Sequence, residues 1–206
     1  MPRTGEVIEN PVSGETIVFV KTGADTDGKL LQLDHFIQPD GKLPQAQLHP
    51  GQEKRFRVRR GWMMLRVDGK LHVLGAGDEA VVPAGIPHLW WNCGFEELAA
   101  RVELRPAGRY DEAISSLFAL AKAGQVDEWG DPGGLQMAVL LDEYRDTLRL
   151  LEYRSRLWRA MLPAMSSLGR LFGIRPAYPY PRFAWVDHGL EVWRSEALAG
   201  SPANPC

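Results

Sequence analysis

Short apolar runs broken by Gly, Pro and Asp fill the first half of the chain, and helical stripes fill the second. Thr16 to Lys21 is rich in β-branched and aromatic residues and stops at Thr22-Gly23. Leu30 to Gln38 follows and ends at Pro39-Asp40-Gly41, a turn sequence. Further strands are predicted over residues 45–49, 55–60, 62–67, 71–74, 79–82, 88–92 and 98–104, with Asp68-Gly69 as a hairpin turn. Many short strands at this spacing predict an all-β barrel or sandwich. The pattern changes at Arg105-Pro106-Ala107-Gly108. Ile114, Leu117, Phe118 and Ala121 then form the stripe of a helix over Tyr110 to Gly124, with Asp111 and Glu112 placed to complement its dipole. A second helix is predicted to carry Met137, Leu141, Tyr144, Leu148 and Leu151 in register. A third runs from about Ser155 to Leu171, with Leu157, Met161, Met165, Leu168 and Phe172 on one face and a kink expected at Pro163. From Pro176 to Cys206 the Pro-rich sequence predicts an extended tail.

Composition adds little but excludes something. With 206 residues, 45% of them hydrophobic and 24% charged, the chain holds one barrel-sized domain plus an extension. A net charge of −2 gives no footprint for nucleic acid. The N-terminal MPRTGEVIENPV lacks the apolar run of a signal peptide, and no span of about 20 apolar residues follows, so a cytoplasmic protein is expected. Two cysteines, Cys93 and Cys206, are too few for a disulfide framework and suit a reducing compartment. Cys93 reads as an unreactive thiol at a strand end, and Cys206 as part of a disordered terminus.

The densest motif is Gly77-Asp-Glu-Ala-Val-Val-Pro83-Ala-Gly85-Ile-Pro-His88-Leu-Trp-Trp-Asn92. Its fixed positions (Gly77, Pro83, Gly85, His88, Asn92) resemble the second signature of the cupin superfamily. Upstream, Gly41, Gln47-Leu48-His49, Glu53 and Gly61 resemble the first signature, with Gln47 standing where its first histidine belongs. Gln47-Leu-His49-Pro-Gly-Gln-Glu53-Lys54-Arg-Phe56, Pro87-His88-Leu-Trp-Trp-Asn92 and Arg105-Pro106-Ala107 further resemble bacterial cupins that pair one barrel with C-terminal helices. The resemblance implies a double-stranded β-helix, or jelly-roll, barrel over residues 1–106 and a helical extension with a Pro-rich tail over residues 107–206.

The same resemblance implies a site inside the barrel. Its metal ligands, carried over by position, are Gln47, His49, Glu53 and His88, suited to one divalent transition metal, whether Fe, Mn, Ni, Zn or Cu. The carboxylate is ambiguous. Counting forward from His49 selects Glu53, whereas counting back from Gly61 selects Lys54. If Phe56 and Val58 face the core, Lys54 shares their face and Glu53 points out unless a bulge intervenes. Strand alternation places Trp90 and Asn92 beside His88, so Gln47, His49, His88, Trp90 and Asn92 are the expected ligand-contacting set. His35 is in phase with Leu31, Leu33 and Ile37 and reads as a core histidine, while His72 and His188 read as surface residues. Two functions stay open at this point. One is a small-molecule-binding cupin, with or without a metal and, where it is an enzyme, an oxygenase or isomerase. The other is a metal-free sensor or interaction module using the helices.

Between Arg149 and Arg182 seven arginines face one acid, Glu152. Helix packing, with the arginines solvated, is the expected role of that stretch rather than attachment to a membrane surface. Surplus apolar stripes on the helices, together with open sheet edges, predict a homodimer.

Overall fold

The computed structural model describes residues 1–39, 41, 45–151, 155–181 and 206. Among the described residues, eleven strands form two antiparallel sheets. The first sheet has the order β1 (Val7–Asn10), β2 (Glu15–Lys21), β3 (Leu31–Ile37), β10 (Leu98–Arg105), β5 (Glu53–Arg60) and β8 (Glu79–Val82). The second has the order β11 (Arg149–Leu150), β4 (Gln47–Leu48), β9 (His88–Asn92), β6 (Met63–Val67) and β7 (Lys70–Leu74). This is the expected jelly roll followed by helices α1 (Tyr110–Lys122), α2 (Gly134–Glu143) and α3 (Arg156–Leu171).

Period-two alternation decides which side chains enter the barrel. In β3, Leu31, Leu33, His35 and Ile37 are buried while the residues between them are only partly covered. In β5, Lys54, Phe56 and Val58 are buried and Arg55, Arg57 and Arg59 are exposed. The opposite phase would place three guanidinium groups in the core, where desolvation is costly. The two signature turns are joined by backbone, because the Gly85 N–H donates to the His49 carbonyl at 2.7 Å.

The extension departs from the expected outline. The second helix does not continue to Leu151; it ends at Glu143. The chain then turns, with Thr147 N–H and Leu148 N–H both donating to the Tyr144 carbonyl at 2.8 Å. Arg149–Leu150 pairs with Gln47–Leu48 as an added edge strand, so part of the extension belongs to the barrel's own sheet. Barrel residues such as Phe56 and Trp90 and helix residues such as Phe118, Met137 and Leu140 share one hydrophobic cluster. The stripe expected to pack α3 is turned the other way: Leu157, Met161 and Leu168 are exposed. Instead, Ser166 and Gly169 face α2, with Ser166 Oγ donating to Asp142 Oδ2 at 2.8 Å. A Cβ on Gly169 would stand 2.7 Å from Val139, so a glycine lets the two helices approach.

The cysteines also correct an expectation. Cys93 and Cys206 are joined in a disulfide across 113 residues of chain, so neither is a free thiol. No spacing rule brings a final residue to the end of β9; only the tertiary fold does. Among the described residues no helix is long and apolar enough to cross a membrane. The expectations for Arg154, Arg182, Glu152 and His188 fall outside the described residues.

Candidate functional site

Lys54 occupies the middle of the barrel. Its side chain is fully buried, with 1% of the residue exposed, and Nζ lies 3.8 Å from the centroid of the Trp90 ring. The rings of Tyr110, at 4.8 Å, and Phe56, at 5.5 Å, complete an aromatic wall around it. Nζ has no hydrogen-bond partner among the described residues. Burial holds the lysine pKa well below its usual value, and the Glu15 carboxylate offsets only part of that.

Two histidines adjoin this wall. His49 Nδ1 is 2.8 Å from the Thr147 carbonyl, and His88 Nδ1 is 3.0 Å from the Ile86 carbonyl. A carbonyl only accepts, so both Nδ1 atoms carry the proton and both Nε2 atoms keep a lone pair. Neither Nε2 has a hydrogen-bond partner among the described residues. The His49 and His88 rings are 5.3 Å apart, His88 stacks on Trp90 at 5.9 Å, and Tyr110 stands edge-on to His49 at 5.1 Å. Desolvation, then the nearby Lys54 charge, drive both imidazole pKa values down, to about 3 for His88. Both rings are therefore neutral at physiological pH.

Opposite them is an acid that the two signatures do not contain. Glu15, in phase with Ile17 and Phe19 on β2, points inward. Its Oε1 lies 3.0 Å from His35 Nε2, at ion-pair distance but off the line of a straight hydrogen bond, and Ser13 Oγ donates to Oε2 at 2.5 Å. Burial alone would raise the Glu15 pKa, yet His35, Ser13 and Lys54 together hold it below the usual carboxylate value. The predicted strand began one residue later, at Thr16; extending the same alternation back to Glu15 would have found it. His35 is accordingly a core histidine with an acidic partner.

Beside this cluster lies a cavity of ≈ 130 Å³. A water needs about 10–15 Å³ of such space, so the cavity has room for a small organic molecule. Its polar side is formed by Ser13, Glu15, His35, Gln47 and Trp90 of the barrel together with Tyr110 at the start of α1. Its other side is apolar and comes from the extension, with Leu117 and Phe118 of α1, Met137 of α2, and Leu148 and Leu150 around β11. The helices therefore roof the barrel interior, a role their stripes alone did not reveal.

Of the residues singled out from sequence, Gln47 and Trp90 line the cavity, whereas His49 and His88 are buried without lining it. Asn92 is committed elsewhere: its Nδ2 donates to the Ile37 and Glu96 carbonyls at 2.9 and 2.7 Å, and its Oδ1 accepts from Gly94 N–H at 2.9 Å. Glu53 is the clearest correction. It sits on the outer face of β5, where Arg55 Nε donates to its Oε1 at 2.6 Å, so it is not available as an interior ligand. No bulge separates it from Phe56, because residues 53–57 pair in unbroken register with β10.

Residues 35–102 match the family model described as a cupin domain. This stretch of the barrel is a cupin domain. Solved structures similar to this cupin barrel include KdgF from Halomonas sp., at 16% identity and TM-score 0.40, covering 45% of this chain and 81% of that one. An RmlC-like cupin from Shewanella frigidimarina shows 19% identity and TM-score 0.43, covering 52% and 88%. A predicted oxalate decarboxylase from Thermotoga maritima, also at 19% and 0.43, covers 52% and 98%. Among curated proteins, none matches the chain.

The donor set in this cupin does not suit a divalent cation. Two imidazoles remain, but Gln47 replaces a third and the carboxylate position is filled by Lys54. Lys54 brings no negative charge to balance a divalent cation, and its side chain is packed against ring faces. Among the described residues no three His, Cys, Asp or Glu side chains gather.

Proposed function

We propose that the protein binds a small organic molecule in the cavity between the cupin barrel and its helical roof, without a divalent metal. The observation that carries this reading is Lys54, which puts a nitrogen where a metal-binding barrel needs a carboxylate, next to a cavity with one polar and one apolar side. The polar side supplies orientation through Glu15, Gln47 and Tyr110, and the apolar side supplies burial; small-molecule sites combine these two elements. The position of Thr147 supports an additional role for the roof. Its carbonyl orients His49, and its hydroxyl accepts from Arg109 N–H at 3.2 Å, so the site and the helices are mechanically joined.

The test has two arms. Protein purified without a metal-binding tag is analysed for bound metal, and a panel of small organic acids, aldehydes, ketones and alcohols is screened by thermal shift and Trp fluorescence. The expected outcome is metal well below one equivalent and at least one saturable ligand whose effect disappears in Leu148→Trp, which fills the cavity. Near-stoichiometric metal lost in His49→Ala, or ligand effects unchanged by Leu148→Trp, would overturn the proposal.

A further inference from the structure

The proposed function leaves one group in the barrel without a role. Lys54 Nζ is buried, has no hydrogen-bond partner among the described residues, and lies against Trp90 and Tyr110, two rings that also form the cavity wall. A lysine held only by ring faces is poorly placed as a structural salt bridge, since Glu15, the buried carboxylate that acts on it electrostatically, is engaged by His35 and Ser13. Around it stand two imidazoles whose tautomers are fixed by backbone carbonyls so that each presents a lone pair. Lys54 and the two histidines do not line the cavity themselves, and the amine meets it through the Trp90 and Tyr110 rings. An amine beside fixed proton acceptors, reached from a small cavity by displacing those rings, is an arrangement for covalent capture of a carbonyl group.

We propose that Lys54 forms an imine with a small aldehyde or ketone held in the cavity. This rests on the small-molecule reading above. In the step, the unprotonated Nζ lone pair forms a bond to the carbonyl carbon, and the C=O π pair moves to oxygen, which takes up a proton. The nitrogen loses a proton, the hydroxyl takes another and leaves as water as the C=N bond forms, and the nitrogen then gives up its second proton. The balance is carbonyl compound plus amine giving imine plus water, with no oxidant or reductant. His49 and His88 serve as proton acceptors through their Nε2 atoms, and Tyr110, whose pKa burial pushes up, stays protonated as a donor. Burial favours the neutral, nucleophilic form of Lys54, as desolvation does for imine-forming lysines generally. The apolar roof of Leu117, Phe118 and Leu148 selects for a short apolar substituent on the carbonyl carbon.

The probe is propanal, incubated with the full chain at pH 6.5 in the presence of cyanoborohydride, which reduces an imine to a stable amine. Peptide mapping by mass spectrometry then compares Lys54 with the five other lysines (Lys21, Lys29, Lys42, Lys70 and Lys122). At this pH an ordinary lysine is almost wholly protonated, and each unit of pKa depression raises the neutral fraction about tenfold. Lys54 is expected to be labelled about tenfold or more faster than the mean of the other five, with a rate that rises with pH to an inflection well below theirs. Leu148→Trp is expected to abolish labelling at Lys54 alone. Labelling of Lys54 at or below the rate of the others, or none, overturns the imine. If that result comes with a saturable thermal shift lost in Leu148→Trp, the small-molecule reading survives it; if no thermal shift occurs either, both fall.

Discussion

At the scale of single residues, the interior of this barrel is organised by what Lys54, His49 and His88 lose when they leave water. Among the described residues, the buried lysine has ring faces and the Glu15 carboxylate to offset its desolvation. Replacing buried ionic groups by apolar side chains of similar size commonly stabilises a fold by about 1–4 kcal/mol. Lys54→Met is therefore expected to raise the midpoint of urea denaturation at pH 7, and an unchanged or lower midpoint would show that the amine is held more favourably than its surroundings imply. The pH dependence has a definite sign. Between the depressed folded pKa values and 6.5, the unfolded chain binds protons that the folded His49 and His88 do not, so stability rises with pH in that window. It is fully present above pH 6.5 and is lost as pH falls toward about 3, the folded value for His88. Glu15, held below its usual pKa, adds loss in the same direction further down. Denaturation midpoints measured from pH 7 to 4.5 are expected to fall steadily, and less steeply in His88→Phe. Equal slopes in the two proteins would mean that His88 is not buried in its neutral form.

At the scale of elements, alternation carried most of what sequence could say. The phase of Phe56 and Val58 already turned Lys54 inward and Glu53 outward, and the arginines between them excluded the other phase. Counting from His49 pointed the other way, because motif spacing carries no information about which face a side chain takes. Glu15 escaped notice because it lies outside both signatures, and Tyr110 because it belongs to the first turn of a helix rather than to a strand. The second helix was overextended for a different reason. Leu148 and Leu150 are buried, so their apolar character is real, but it serves a turn and an edge strand that happen to continue a helical period. Glycines in the signatures separate into two kinds. Gly61 has φ +79°, and a Cβ there would stand 3.0 Å from the Glu97 carbonyl oxygen and from Leu98 Cα. Gly77 has φ +96° but open space around it. Gly61→Ala is expected to cost about 1–3 kcal/mol from backbone strain plus further loss from the clash, and Gly77→Ala the strain alone. Chemical denaturation of the two variants checks this; equal losses would mean that Leu98 gives way freely.

At the scale of the whole molecule, the outer face of α3 governs assembly. Its packing against α2 uses Ser166 and Gly169, which leaves Leu157, Met161, Leu168, Leu171 and Phe172 outside, with Leu157 at 72% and Leu171 at 80% exposure. Burying such a side chain is worth about 1.5–3 kcal/mol, so five together present a substantial drive toward a partner. Two partners suit an apolar stripe on a helix that carries arginine: a lipid surface and a second copy of the chain. Charge separates them. Arg170 Nη2 lies 3.0 Å from Glu143 Oε2, so it is already paired within the molecule and contributes little to attraction by anionic lipid. Pro163 further removes a backbone donor in the middle of the stripe, where a face-to-face helix pair has side-chain contacts to compensate. A second copy also suits an isologous contact, in which the same stripe meets itself across a two-fold axis. Light scattering is therefore expected to give the mass of a dimer, and Leu157→Glu with Leu168→Glu to give a monomer whose circular dichroism is unchanged. A wild-type monomer at micromolar concentration rules the dimer out. Salt-sensitive co-sedimentation with phosphatidylserine vesicles, lost in the same double variant, would instead identify the lipid surface as the partner of that face.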